Sequence, residues 1–306
     1  FTGTSTLNGT ANLFNVTING TSLILSASSV LGIANTFIIT AGSLNVSSNK
    51  PNTVIFNGTG AQTVNALTYH HLALANGNTK TAAAGITVNG NITISPSTIF
   101  NAGSFTHTLS GNWINSGTFS AGTSTVQMTG GTNTSITGAT TFNILTINKT
   151  ASSNVVSLQN NVTVPVINMT TGSVLTGANT LTITTTRNGN GIIMGTITRT
   201  HTFSMAVDYA FEGSDNTINF SVVSGVTSIT VYVAAGSISD YPNGSAINRV
   251  YNITVPSGTY VAKLRLHYEE AELNGNDETA MQLIRYNGAS WAVSGKTGNS
   301  TTSNYV

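Results

Sequence analysis

The sequence predicts an all-β protein in two parts, a parallel β-solenoid (β-helix) over residues 1–188 and an antiparallel β-sandwich over residues 189–306. Three observations predict it. Charged residues make up only 6% of the chain, against about 25% in ordinary soluble domains, and Thr, Ser, Asn and Gly take their place. Those residues favour strands and turns over helices, because their side chains compete for backbone hydrogen bonds or relax the backbone. The charge is also divided: residues 1–186 carry Lys50, Lys80 and Lys149 alone, and the first acidic residue is Asp208. Finally, the first part repeats itself, and a fixed internal period is the mark of a stacked array.

The repeat is visible at two scales. Residues 30–39 return at 174–183, and residues 53–72 correspond to 125–145, so the larger unit is near 72 residues. Inside it Val16, Leu23, Val30, Phe37 and Leu44 recur every seven positions. A coiled coil is excluded by the β-branched and Gly-rich stretches between them and by the lack of flanking charges. The local pattern is apolar–polar–apolar, as in Val16-Thr17-Ile18, Leu23-Ile24-Leu25 and Ile92-Thr93-Ile94. That is period two over three or four residues, then a turn. Three such strands give a triangular coil of about 21 residues with its apolar side chains stacked inside.

Arg187-Asn188-Gly189-Asn190-Gly191 reads as a polar break, and the domain boundary falls there. Longer alternating strands follow, at 218–223, 228–233, 250–255, 261–268 and 280–286. Asn287-Gly288 is a hairpin signal, and Pro242-Asn243-Gly244 and Pro256-Ser257-Gly258 are further turns. Strands at such intervals predict a sandwich.

Composition narrows the partners. A net charge of +1 leaves no footprint for nucleic acid or an anionic membrane. The absence of cysteine removes disulfides and thiolate metal sites. No apolar run approaches the roughly 20 residues that span a bilayer. The chain begins at Phe1 without Met and is read as a processed product or a piece of one. Fourteen N-x-S/T sequons make Asn8, Asn15, Asn19, Asn57, Asn91, Asn148, Asn161 and Asn252 candidate glycosylation sites.

Several phrases carry a resemblance. Gly195-Thr196-Ile197-Thr198-Arg199-Thr200, Asn248-Arg249-Val250-Tyr251-Asn252-Ile253 and Arg285-Tyr286-Asn287-Gly288 with Trp291 resemble a module of the large secreted surface proteins of the Bacteroidetes, where it precedes a secretion-sorting region. Residues 111–119 and 142–148 resemble the β-helical repeats of the same proteins. Tyr251 departs from the family, which usually has Trp there, and no sorting region follows within the chain. The resemblance implies a secreted, surface-associated protein and names no activity.

Candidate chemistry is sparse. His70-His71 is the one histidine pair, and adjacent residues of a strand face opposite ways, which argues against shared chelation. Glu269, Glu270, Glu272, Asn274, Asn276, Asp277 and Glu278 form the one candidate calcium site, although they do not follow the D-x-[DN]-x-[DN]-G loop. Otherwise no cofactor is expected. Asp208, Glu212 and Asp215 read as a surface loop. Thr-rich stretches at 2–6 and 196–200 raise ice binding, but the required T-x-T once per coil is irregular along the chain. Trp113 and the tyrosines read as packed aromatics. A carboxylate mechanism has no residues to use in the first 186 positions.

The expectation is a non-enzymatic extracellular structural protein at the cell surface, a filament subunit assembling with itself head-to-tail through its terminal strands. The alternative is an adhesin whose sandwich binds a glycan or another surface protein on a solenoid stalk.

Overall fold

The computed structural model describes residues 1–238, 241 and 246–306. It is all-β apart from two short 3-10 turns at Glu270–Glu272 and Glu278–Ala280. Residues 1–200 form a parallel solenoid of about ten turns with three faces. The first face starts at residues 10–13 and climbs through 30–33, Thr53–Phe56, His71–Leu74, Ile92–Ile94 and Trp113–Asn115 to 192–194. The second face holds Gln62–Val64, Asn78–Ala82, Thr98–Asn101 and Thr118–Ser120, and later residues 162–164, 181–183 and 196–199. The third holds Thr4–Leu7, 22–25, Thr106–Leu109, Thr125–Met128 and Ile144–Asn148.

Opposed residues on neighbouring rungs lie 18 to 23 positions apart through most of the stack, Val54 facing Leu72 and Trp113 facing Ile136. The expected coil of about 21 residues is the mean of this spread. Alternation places one residue in two inward, so Leu31, Val54, Leu72, Ile92, Trp113, Ile136 and Leu158 form one buried column. Burial of this kind, about 25 cal/mol per Å² of apolar area removed from water, drives each coil onto the last. The seven-residue apolar spacing is inexact in space: Val16, Leu23 and Phe37 are buried, Val30 and Leu44 only half-buried.

Corners create a second demand. A turn that leads from one face to the next leaves backbone carbonyls without ladder partners. Long polar side chains bend inward to meet them. Asn52 donates to the carbonyls of Val46 and Asn49 at 2.9 and 2.7 Å, and Gln62 to those of Ile33 and Asn35 at 2.9 and 3.0 Å. Lys80 is wholly buried and donates to the Gly58 and Gly60 carbonyls at 2.5 and 3.0 Å. Lys149, also buried, reaches the Thr129 carbonyl. Two of the three lysines in the first 186 residues are therefore internal, and burial lowers the pKa of both.

The Gly-rich break at 187–191 is a corner, not the end of the solenoid. Strand Ser173–Asn188 continues through it into Ile192–Thr200, which pairs in parallel with the coil below, Leu181 facing Ile197 and Ile183 facing Arg199. That strand is shared. On its other edge it pairs antiparallel with Ser228–Ala235, which pairs with Arg249–Thr254. A second antiparallel sheet of Asp208–Ala210, Thr217–Ser224 and Thr259–Arg265 packs Ile218 and Phe220 into the same core as Ile229, Val231 and Val233. The turn at 256–258 crosses between these sheets, and Asn287-Gly288 closes the expected hairpin of Leu283–Tyr286 and Trp291–Gly295. The strand expected from Ala280 begins at Leu283, because the Asp277 side chain caps a 3-10 turn at Thr279. The Pro242-Asn243-Gly244 turn lies outside the described residues.

Corner glycines test the packing. Gly9 and Gly138 both have positive φ, 74° and 88°, but a Cβ on Gly9 meets open space while one on Gly138 sits 1.7 Å from the Asn115 carbonyl oxygen. Gly9→Ala is expected to cost about 1–2 kcal/mol of left-handed strain. Gly138→Ala is expected to cost distinctly more, since the coil beneath must also move. Denaturant midpoints of the two variants check this, and equal losses would contradict it.

Candidate functional site

Two inward columns of the solenoid end in arginine. On the third face Ile167 is followed by Arg187, and on the second Ile183 is followed by Arg199. Both side chains are buried and donate to backbone carbonyls: Arg187 to Gly189 and Gly191 of its own corner and to Glu212 of the covering segment, Arg199 to Ala210 of that segment at 2.9 Å and to Thr185 of the coil at 2.6 Å. Arg199 also lies over the rings of Tyr209 and Phe211, at 5.3 and 5.9 Å. Burial pushes both guanidinium groups down to about 10, so they remain charged at neutral pH.

These contacts seat Glu212 at the junction. Its carbonyl accepts from Ile193 N at 2.9 Å, extending the first face by one hydrogen bond. Its carboxylate is wholly buried and is held by Arg249, by the Tyr251 hydroxyl at 2.6 Å and by His267 Nδ1 at 3.2 Å. Arg249 faces a second buried acid, Glu272, with Nε at 2.5 Å and Nη2 at 3.1 Å. Burial alone would raise the pKa of Glu212, but the His267 bond, the Arg249 charge and the Tyr251 bond outweigh it and hold it low. Arg249 is held high for the reciprocal reason, and Tyr251 is raised by burial and by the facing Glu212. One guanidinium thus ties the loop at 211–216, the strand Arg249–Thr254 and the 3-10 turn Glu270–Glu272 into a single clasp.

Sequence reasoning missed this clasp and placed Glu212 on a surface loop. The available signal was alternation: 249, 251 and 253 share one side of their strand, and Arg and Tyr beside inward Ile253 require partners.

The calcium candidates are engaged elsewhere. Glu272 serves Arg249 and also accepts from Glu269 N at 2.9 Å, Asp277 accepts from Thr279 N and Oγ1, and Glu278 accepts from Tyr268 at 2.8 Å. Asn274 and Asn276 donate to the Ala246 and Leu273 carbonyls, and Glu269 and Glu270 are exposed. Among the described residues no group of three or more His, Asp or Glu is gathered to hold a metal ion. The acidic residues were spaced for caps rather than for a cage.

His70 and His71 do not face opposite ways: His70 lies in the corner after Thr68–Tyr69, and the two rings are 4.4 Å apart. Yet His71 Nδ1 accepts from Asn91 N at 2.9 Å, so the neutral ring carries its proton on Nε2 and offers no free lone pair. His107 is a core residue, and Trp113 packs against Phe119 and Phe142. Of the candidate glycosylation sites, Asn8, Asn15, Asn19, Asn161 and Asn252 are exposed, while Asn57, Asn91 and Asn148 are half-buried. Asn15 and Asn161 accept from the coil above, and Asn57 donates to Asn12. Beside the clasp a cleft of about 1010 Å³ is lined by Tyr251, His267, Tyr268, Met281, Tyr286 and Trp291, with the last two rings 5.1 Å apart.

Arg249→Met should destabilise the fold by about 3–5 kcal/mol, because it leaves two buried carboxylates without their cation. Chemical denaturation measures it, and a loss near zero would show that the clasp is dispensable.

Acid should weaken the protein in two stages. His70, His71, His107 and His201 are held below the ordinary histidine value, chiefly by burial, so the unfolded chain takes up protons first and stability falls as pH drops below about 6.5. Glu212 is also depressed; its contribution is present above the unfolded glutamate value of about 4.3 and is lost as pH falls through the lower folded value. Melting temperatures from neutrality downward check this, and Glu212→Gln should flatten the second stage only.

No protein-family model, curated protein or solved structure matches the chain.

Proposed function

We propose that the chain is a structural rod of an extracellular surface protein, with no enzymatic role of its own. The observation that carries this reading is the shared strand Ile192–Thr200, parallel to the solenoid on one edge and antiparallel to the sandwich on the other. Rod and sandwich therefore have one hydrogen-bonded ladder and one hydrophobic core. Pulling them apart requires breaking that ladder and the Glu212–Arg249–Glu272 clasp together. Asn52, Gln62, Lys80 and Lys149 serve corners and Asp277 a cap, the pattern of a scaffold. The resemblance to secreted surface proteins and the exposed sequon asparagines support an extracellular setting.

In its finer form the reading is a head-to-tail filament. The first coil offers Thr4–Leu7 and Thr10–Leu25, strands without a charged side chain, for backbone pairing with another copy. The aromatic cleft favours a second reading, an adhesin that holds a glycan or protein at the end of the rod. Electron microscopy of native, negatively stained material separates them. Regular filaments repeating at one subunit are expected; isolated rods with a knob at one end would overturn the filament and leave the adhesin.

A further inference from the structure

On the outer side of the second face, Thr141, Thr163, Thr182, Thr198, Thr230 and Thr254 stand directly opposite one another on six successive strands. Their spacing along the chain is irregular, which hides the rank in the sequence. Coils of unequal length bring them into line in space, and the last two arrive on antiparallel strands of the sandwich. Each faces outward, because inward residues flank it: Thr140 and Phe142, Val162 and Val164, Leu181 and Ile183, Ile197 and Arg199, and Ile229 and Val231 are buried, and Ile253 and Val255 are half-buried against the core. None of the six is buried.

The rank is a lattice edge. Neighbouring strands lie about 4.8 Å apart, so methyl and hydroxyl groups recur at that interval. A second rank runs two residues away, about 6.6 Å along the strands. It contains Thr180, Thr196, Tyr232 and Asn252, again in register. No charged side chain stands in either rank. Threonine is stiff at χ1, so these groups are held in place before any ligand arrives. Thr198 Oγ1 and Thr230 Oγ1 are 2.9 Å apart, so hydroxyls on adjacent strands come within reach of one hydrogen bond.

We propose that this face binds ice. Its ligand must be periodic in two directions and uncharged, which fits a crystalline water lattice. The hydroxyls supply anchoring hydrogen bonds, and the methyls between them leave adjoining waters no partner except one another. A crystalline polysaccharide would call for aromatic platforms, and the two ranks hold one, Tyr232, at the sandwich end outside the threonine row. Cross-strand Thr pairs also stabilise a sheet, so the test must separate adhesion from folding. The proposal stands apart from the rod reading, and either can fail alone.

The test is thermal hysteresis and crystal shaping on a single ice crystal in a solution of the full chain. The expected result is faceted growth and a measurable hysteresis gap. Thr163→Tyr and Thr182→Tyr, each placing a bulky ring in the middle of the row, should abolish both effects while the circular dichroism stays that of the parent. Ser157→Tyr on the outer side of the first face should leave them unchanged. Where a Tyr variant fails to fold, Thr182→Ser removes the methyl alone and should still lower the gap. Absence of hysteresis and shaping in the folded parent would overturn the proposal, as would folded Tyr variants that retain both.

Discussion

Every coil of this protein must return the chain to within one strand spacing, about 4.8 Å, of where the coil began. Most other features answer that requirement. Inward side chains can stack only if rungs stay in register, so Trp113 must find Ile136 although the intervening coil runs longer than its neighbours. Closeness at the corners selects glycine where a Cβ would strike the carbonyl below, as at Gly138. It also strands carbonyls inside the turns, which is why the core accepts the ammonium group of Lys80 and the amide of Gln62. A buried cation without a carboxylate partner is costly, and here backbone oxygens stand in for the anion.

The same requirement explains the end of the stack. A solenoid cannot simply stop, because its last rung exposes a core cross-section and an unpaired edge. Two devices meet this. Two inward columns close in Arg187 and Arg199, whose guanidinium groups grip the covering backbone, and the second face passes its edge to antiparallel strands. The clasp around Arg249 then locks the covering loop. All acidic residues of the chain come after the parallel coils in sequence; among them Glu212 and Glu272 share the buried Arg249, and Asp277 caps a 3-10 turn.

Much of the architecture was legible because it rests on period-two alternation, turn residues and repeated length, all properties of contiguous sequence. Leu181-Thr182-Ile183 declares its inward and outward sides without help. The boundary was less legible. Arg187 to Gly191 has the composition of a linker, and only the third dimension shows that Arg187 folds the glycines into one more corner. Glu212 was misread for a related reason: its partners lie 37 and 55 positions away, beyond any local signal. The calcium candidates lie close together in sequence, but in space Glu272 serves an ion pair and Asp277 a cap.

The burial of Lys80 and Lys149 leaves Lys50 as the one charged side chain exposed on the first 186 residues. Along nearly its whole length the rod is electrically silent. Screening by salt acts only on charges that face the solvent, over a distance of about 8 Å at physiological ionic strength. Whatever meets this surface is therefore neither steered toward it nor shielded from it by ions. Contacts along the rod depend on shape, hydroxyls and methyl groups, and they should hold as well in brine as in fresh water.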